Sequence, residues 1–419
     1  MQQLPIDLIA AILFAVALLH TFSAKHIEHL SHRFPRHAGL FHLLGEVEVV
    51  FGFWAIVLVL MMAIVTGGDK ALAYVESRQY TEPLFVFVVM VIAASRPILQ
   101  LVTQGITLIA QQLPVRNAVA IAWLGLAAVP LLGSAITEPA AMTIAALMLA
   151  PQVFRAGVPE RLKYLGLGVL FVNVSIGGTM TSFAAPPVLM VAATWNWDSA
   201  YMLATFGWKA SIAVLLNATF AVYLLREHLL DIPVKSSAME HEPVPLALVL
   251  VHVTFLAAVV VLAHHPVAFL GIFLMFLGVT QAYERHQDPL ILKEALLVAF
   301  FLAGLVVLGG MQQWWLQPIV SGMSPQVLFV GATLMTAFTD NAALTYLGSL
   351  IEGISEPAKY SLMAGAVAGG GLTMIANAPN PAGIALLRRG FEDESIGATE
   401  LLAGAVVPTL IAMAAFALL

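Results

Sequence analysis

The sequence predicts an all-α polytopic membrane protein, an inverted-repeat transporter of about ten spans with two opposed re-entrant helical hairpins and two broken helices. Three observations predict it. Of 419 residues, 60% are hydrophobic and only 10% charged, too little polar surface to cover a soluble domain. Apolar stretches of roughly 17 to 25 residues recur along the whole chain, which suits spanning helices and not the weak alternation of a membrane barrel. An acidic residue inside an apolar run is followed by a glycine-rich, proline-bearing break, and this happens twice: residues 135–149 then 175–187, and 337–351 then 368–380.

The elements follow in order. Residues 4–22 have no basic residue ahead of them and no small-residue cleavage site behind, so they read as a retained first span. Further spans are expected at 46–66, 83–102, 162–195 through a break, 201–226, 245–263, 266–283, 293–310, 358–387 through a break, and 399–419. Residues 118–150 and 326–351 are too long for one span and short for two. Each has its acidic dipeptide near the middle, so each reads as a re-entrant hairpin with its tip at mid-depth. Ahead of each hairpin a Gln-bearing stretch, 103–112 and 311–318, reads as a helix lying in the interface, the second with Trp314 and Trp315; the first reads equally as a polar loop.

Basic residues near span ends collect mainly on one face, with Lys70, Arg78 and Lys359 as external exceptions that have acids near them. Lys25, Arg33 and Arg36 put the first loop in the cytoplasm, and Arg116, Arg155, Arg161 and Lys163 flank the mouth of the first hairpin on the same side. Glu352 and Glu356 flank the second, on the opposite side. The hairpins thus open to opposite faces, and both termini lie outside. The expected organisation is 1–81, N-terminal scaffold spans; 82–226, a first repeat with hairpin 117–152 and broken helix 162–195; 227–292, linker and scaffold spans; and 293–419, a second repeat with hairpin 325–352 and broken helix 358–388.

Glu138 and Asp340 are the leading candidates for chemistry, because an ionisable group in an apolar run costs several kcal/mol unless it is paired, protonated or hydrated. Thr137 and Thr339 precede them; Pro139 and Asn341 follow. These dipeptides supply carboxylates, hydroxyls and backbone carbonyls, the hard oxygen ligands of an alkali cation such as sodium or of a proton relay. The plainer reading is an N-cap for the second helix of each hairpin. The breaks add Gly177, Gly178, Thr179, Ser182, Pro186 and Pro187, then Gly370, Gly371, Thr373, Asn377, Pro379, Asn380 and Pro381, where freed backbone groups and half-helix ends offer partial charges to an ion. A proline kink with glycine packing is the alternative. Glu46 and Glu48 either feed protons or a cation or are a solvated helix end. Arg96 either pairs with Glu138 or Asp340 or snorkels to the interface. His20, His26, His29, His32, His37 and His42 cluster in the first loop region, but their three-residue spacing drifts around a helix and no metal motif accompanies them; protonation near neutral pH is the other reading.

With a hairpin tip followed by a Gly-Gly break and Pro-Pro or Pro-Asn turn in both halves, the chain resembles the ion transporter superfamily of divalent-anion/sodium symporters, arsenite pumps and D-type sodium/proton antiporters. Where the dicarboxylate symporters carry Ser-Asn-Thr tips, this sequence has Thr137-Glu138-Pro139 and Thr339-Asp340-Asn341, which repel an anion and suit a cation or proton. With the Glu-Val-Glu segment at Glu46 and the Ala-Ser-Arg-Pro segment ending at Pro97, it is similar to the sodium/proton antiporters. The resemblance implies a secondary antiporter, a homodimer and an elevator-like movement, in a prokaryotic inner membrane.

The chain has no cysteine, which excludes disulfides and thiolate sites, and its net charge of −6 is spread over many loops, which points away from nucleic acid. No nucleophile-base set, HExxH or phosphate loop suggests an enzyme, and no cofactor is expected beyond sodium as transported ion. The alternative function is sodium- or proton-coupled transport of an anion or oxyanion such as a dicarboxylate or arsenite.

Overall fold

The computed structural model describes residues 6–230 and 243–419, without the side chains of Lys25, His26, His29 and His32. Residues 231–242 of the expected 227–292 linker and scaffold stretch, and the side chains of His26, His29 and His32, lie outside the described residues. Every regular element among the described residues is helical.

α1 (Ile6–Arg33) runs past its expected end into the first loop, and α2 (Ala38–Gly45) folds back on it. α3 (Val47–Thr66) ends at Gly67, whose φ of 100° is open to glycine alone at no cost, and α4 (Gly68–Glu76) follows. α5 (Thr81–Ala93) and α6 (Arg96–Gln112) meet at a 63° bend. The expected continuous span at 83–102 is bent in its middle: the helix stops at Ala93, Ser95 is extended and Pro97 lies in the first turn of a new helix that runs from Arg96 on through residues 103–112.

α7 (Asn117–Leu126) and α8 (Ala128–Ile136) are bent by 42°, and α9 (Glu138–Leu149) packs back on α8. α10 (Glu160–Gly177) breaks through a short 3-10 turn at Gly178–Met180 before α11 (Pro186–Trp195). α12 (Ser199–Met202) passes through a π turn at Leu203–Gly207 into α13 (Trp208–Leu225). Then come α14 (Leu246–Val261), α15 (Pro266–Ala282) and α16 (Leu292–Gly309), and the short α17 (Gln313–Val320) with Trp314 exposed. α18 (Pro325–Thr336), α19 (Asn341–Ser349), α20 (Glu356–Gly369), α21 (Asn380–Leu387) and α22 (Ala398–Leu418) complete the chain. Among the described residues six helices are long and apolar enough to cross a membrane, or eight if each bent pair counts as one. The chain is an integral membrane protein.

α10 is the axis of the molecule. It packs against α22, α13, α8, α9 and α20, and from Leu167 to Thr179 every residue is buried. Small residues allow this: a Cβ on Gly168 would stand 2.6 Å from the backbone of Gly404 and Ala405 in α22. Asn173 of α10 donates to Leu126 O at 2.8 Å, and Asn217 of α13 donates to Asn173 Oδ1 at 2.9 Å and to Pro408 O at 3.2 Å, so buried amides tie four helices where no water competes. On the far side α3 packs against α16 with Gly52 facing Gly304.

Candidate ion-binding site

The acidic residue of the first tip stands where α8 turns into α9. Thr137 occupies the cap position with φ 83° and ψ 151°, a region open almost only to glycine, and as a β-branched residue it holds that conformation at a cost of order 1–3 kcal/mol. The neighbouring backbone holds the turn in place. Thr137 N donates to Gly133 O at 2.8 Å, and Ser134 locks α8 to the break of α10 by donating to Gly177 O at 2.7 Å and accepting from Met180 N at 3.0 Å. Thr181 Oγ1 completes the clamp on Ser134 O at 2.7 Å.

So held, Glu138 is fully buried. Its Oε2 accepts from Asn377 Nδ2 at 2.8 Å, a contact that reaches across to the break between α20 and α21. Its Oε1 has no hydrogen-bond partner. Gly178 makes the room beside that oxygen, since a Cβ there would lie 2.6 Å from it. Glu138 therefore does not cap α9; it is the helix's first residue, turned inward.

Asp340 behaves differently. It caps α19, with Oδ1 accepting from Ala342 N at 2.7 Å and Ala343 N at 3.3 Å, and is half-buried. The next residue reaches the first half of the molecule: Asn341 Nδ2 donates to Ser175 Oγ of α10 at 3.3 Å, and Ser175 in turn donates to Val367 O at 2.8 Å. Asn341 N bonds Ala376 O at 3.1 Å, and Thr373 Oγ1 donates to Ala337 O at 3.0 Å, seating the tip against the second break. Asn380 Nδ2 donates to Gly370 O at 2.8 Å and Thr373 O at 2.9 Å.

The two tips and two breaks thus meet around Glu138, Asn341, Asn377 and Asn380, and Glu138 and Asp340 lie within electrostatic range of each other. Their hydrogen bonding is lopsided. Each amide nitrogen of Asn341, Asn377 and Asn380 is engaged, while their Oδ1 atoms, Glu138 Oε1 and Thr137 Oγ1 are buried without a partner. Amide orientation follows from the hydrogen-bond network, in which Asn341 Nδ2 and Asn377 Nδ2 each donate once and Asn380 Nδ2 twice. Four buried acceptor oxygens and one buried hydroxyl are thus left without a hydrogen-bond partner in one region of the fold.

The other candidates are placed apart from this centre or engaged locally. Thr179 is buried and donates to Ile176 O at 2.6 Å within its own turn. Ser182 faces a cavity of about 280 Å³ lined also by Glu82, Asp198 and His264, and pairs with Ser199 Oγ at 3.1 Å. Thr339 is half-buried beside Asp340. Glu46 pairs with Lys293 at 3.3 Å, and Glu48, half-buried at the start of α3, is within electrostatic range of Asp340. Arg96 is buried and engaged at the first turn of α6. His20 takes a structural place, bonded to Leu44 O at 2.8 Å and to Trp54 Nε1 at 3.0 Å. Among the described residues no three His, Asp or Glu side chains gather as a metal cluster.

Two participants were missed. Ser134 stands one helical turn ahead of Glu138, and Ser175 two residues ahead of the Gly-Gly pair; lone serines in apolar helices at those spacings were the available signal.

A model of the family described as "Putative Na+/H+ antiporter" matches residues 5–419. No curated protein matches the sequence. Among solved structures, the YdaH transporter of Alcanivorax borkumensis, described as having an unusual topology, is similar at a TM-score of 0.45 and 13% identity, over 88% of this chain and 96% of that one. With its family model spanning nearly the whole chain, this protein belongs to that Na+/H+ antiporter family, and is a membrane transporter and not an enzyme.

Proposed function

We propose that the protein exchanges sodium for protons by mutual exclusion at Glu138, with Asp340 as the second exchanging carboxylate. The observation that carries this reading is the surplus of buried oxygen acceptors around a fully buried Glu138 whose Oε1 has no partner. A carboxylate in a dry site is stable only when neutral or matched by positive charge, so a proton and a cation compete for it with no further coupling device. The amide oxygens of Asn341, Asn377 and Asn380 and the Thr137 hydroxyl are hard neutral ligands suited to an alkali cation.

The repeat-like order of elements supports alternating access. α7, α8 and α9 precede the broken α10–α11, and α18 and α19 precede the broken α20–α21. With the loop-charge pattern, this order supports two hairpins opening to opposite faces of the membrane, which we take as a prokaryotic inner membrane, with both termini outside. The site would then move between faces against scaffold spans, as a homodimer. A buried, unmatched carboxylate counts against the anion reading, since it would repel the substrate.

In proteoliposomes, Glu138→Gln should abolish sodium-driven proton movement and Asp340→Asn should cut it at least tenfold, with both proteins eluting as the wild type does in detergent. Undiminished exchange in Glu138→Gln would sink the assignment, and a shift of melting temperature by succinate but not sodium would favour the anion carrier.

A further inference from the structure

The cavity of about 280 Å³ that Ser182 faces is walled by the start of α5 (Glu82), the stretch leading into α11 (Ser182, Phe183), the entry to α12 (Asp198, Ser199) and the residues just past α14 (His264). These are the helix ends that the loop-charge pattern puts outside. Asp198 and His264 are exposed, so the cavity opens at that end, while Glu82, Ser182 and Ser199 are half-buried. Its inner wall adjoins the clamp on the first tip. Ser182 N and Oγ meet Ser199 Oγ at 3.2 and 3.1 Å, and the preceding residue, Thr181, holds Ser134 O at 2.7 Å, one helical turn ahead of Glu138.

Resting on the exchange reading above, we propose that this cavity is the outer vestibule of the transporter, where Glu82 and Asp198 draw in a hydrated monovalent cation on its way to the site. Those two carboxylates and the His264 imidazole are its ionisable groups, with no Lys or Arg among the described residues on its walls. A cleft lined by one sign of charge between low-dielectric walls focuses its field and concentrates counter-ions. The space suits an ion that still carries its water shell, at about 30 Å³ of liquid per water. Its place in the fold suits passage as well. α14 belongs to the expected scaffold and α11 to the first broken helix, so the cavity lies on the seam along which the site would move, where a route to one face has to run.

A neighbouring cavity supplies the contrast within the molecule. About 460 Å³ in volume, it shares Glu82 and Ala193 with the first and runs along another face of α11, past Thr194. Arg78 lines it, 4.6 Å from the Tyr74 ring centre and donating to Ser77 Oγ at 3.0 Å. Its guanidinium offsets the charge of Glu82 on that side, which leaves a cation no net attraction there. The outward route for a cation is therefore the Ser182 cavity, and Ser182 belongs to the passage and not to the oxygen cluster around Glu138.

The chain has no native cysteine, so Ser199→Cys in the first cavity and Thr194→Cys in the second are single targets for two membrane-impermeant methanethiosulfonates, one bearing trimethylammonium and one bearing sulfonate. Labelling is followed in right-side-out vesicles at about pH 8.5, where His264 is neutral. The ratio of cationic to anionic labelling rates at Ser199→Cys should exceed that at Thr194→Cys by about fivefold or more, and the excess should shrink as choline chloride is added. Glu82→Gln should remove much of that excess. Asp198→Asn, which keeps a good N-cap for α12, should do the same and serves if the Glu82 variant does not fold. In transport, Glu82→Gln should raise the apparent KM for sodium presented at the outer face about threefold or more, and leave the KM for sodium at the inner face within twofold. Equal ratios at the two thiols, an excess that survives both neutralisations, labelling of Ser199→Cys only from the inner face, or equal rises of KM at both faces would overturn the vestibule. The labelling needs no transport to be read, so failure of sodium/proton exchange itself, seen as normal exchange by Glu138→Gln, is told apart from failure of the vestibule.

Discussion

A carboxylate with one oxygen bonded and the other bare is an expensive thing to bury, and the residues around Glu138 account for how it stays there. Thr137 bends the chain through a conformation that a β-branched residue resists, Ser134 pins the bend to the break of α10, and Gly178 withholds the Cβ that would fill the space at Oε1. Gly178→Ala is therefore a charge-neutral way to occlude the proposed ion seat. Its methyl would stand 2.6 Å from Oε1, so the apparent KM for sodium should rise at least tenfold while circular dichroism and elution stay unchanged. Unaltered sodium kinetics in a folded Gly178→Ala protein would place the ion elsewhere. Thr137→Gly removes strain and a bare hydroxyl together: it should raise the melting temperature by a few degrees, with about 1 kcal/mol or more of relief, yet weaken sodium's own stabilising effect.

At the level of helices, the sequence was most legible where apolar runs were long and punctuated. The ends of α3 at Gly67, α11 at Asn196 in the left-handed region, and α15 at its leading Pro266 follow from those residues' own backbone preferences. The break of α10 was readable from Gly177, Gly178, Pro186 and Pro187 for the same reason. What could not be read was the stop of α5 at Ala93, because Ala94 and Ser95 are ordinary in mid-span and only Pro97 two residues on marks the turn. Nor could the pairing of Asn377 with Glu138 be read, since both halves of that contact come from tertiary packing and neither has a local signature. Close helix crossings belong to this same class. Gly168 and Gly404 let α10 and α22 approach until a Cβ on the former would stand 2.6 Å from the latter's backbone. Gly168→Leu should thus overpack the axis of the fold by about 1–3 kcal/mol, visible as a lower melting temperature in detergent with no change in the pH midpoint of surviving activity. Equal loss of stability in a control at Gly271, which has open space around it, would show the crossing to be unimportant.

For the whole molecule, the decisive property is which face each hairpin opens to, because exchange by alternating access needs a site approached from both sides through related structures. The duplicated acid-then-glycine order and the loop charges both argue for opposed hairpins, and the chain offers a clean means of testing them. With no native cysteine, a single introduced thiol is the only maleimide target. Ala156 and Glu356 are exposed and follow α9 and α19, at the expected mouths of the two proposed hairpins. In intact cells, Glu356→Cys should react with a membrane-impermeant maleimide and Ala156→Cys should not; in inside-out vesicles the pattern should reverse. Labelling of both from one face would remove the inverted relation, and with it the reason for two acids, Glu138 and Asp340, to converge on one site from opposite entrances. The opposed pattern would instead make their closeness in the fold a consequence of topology: each tip descends from its own face to mid-depth, where the only partners left for its polar atoms are the other half's break and the ion it carries.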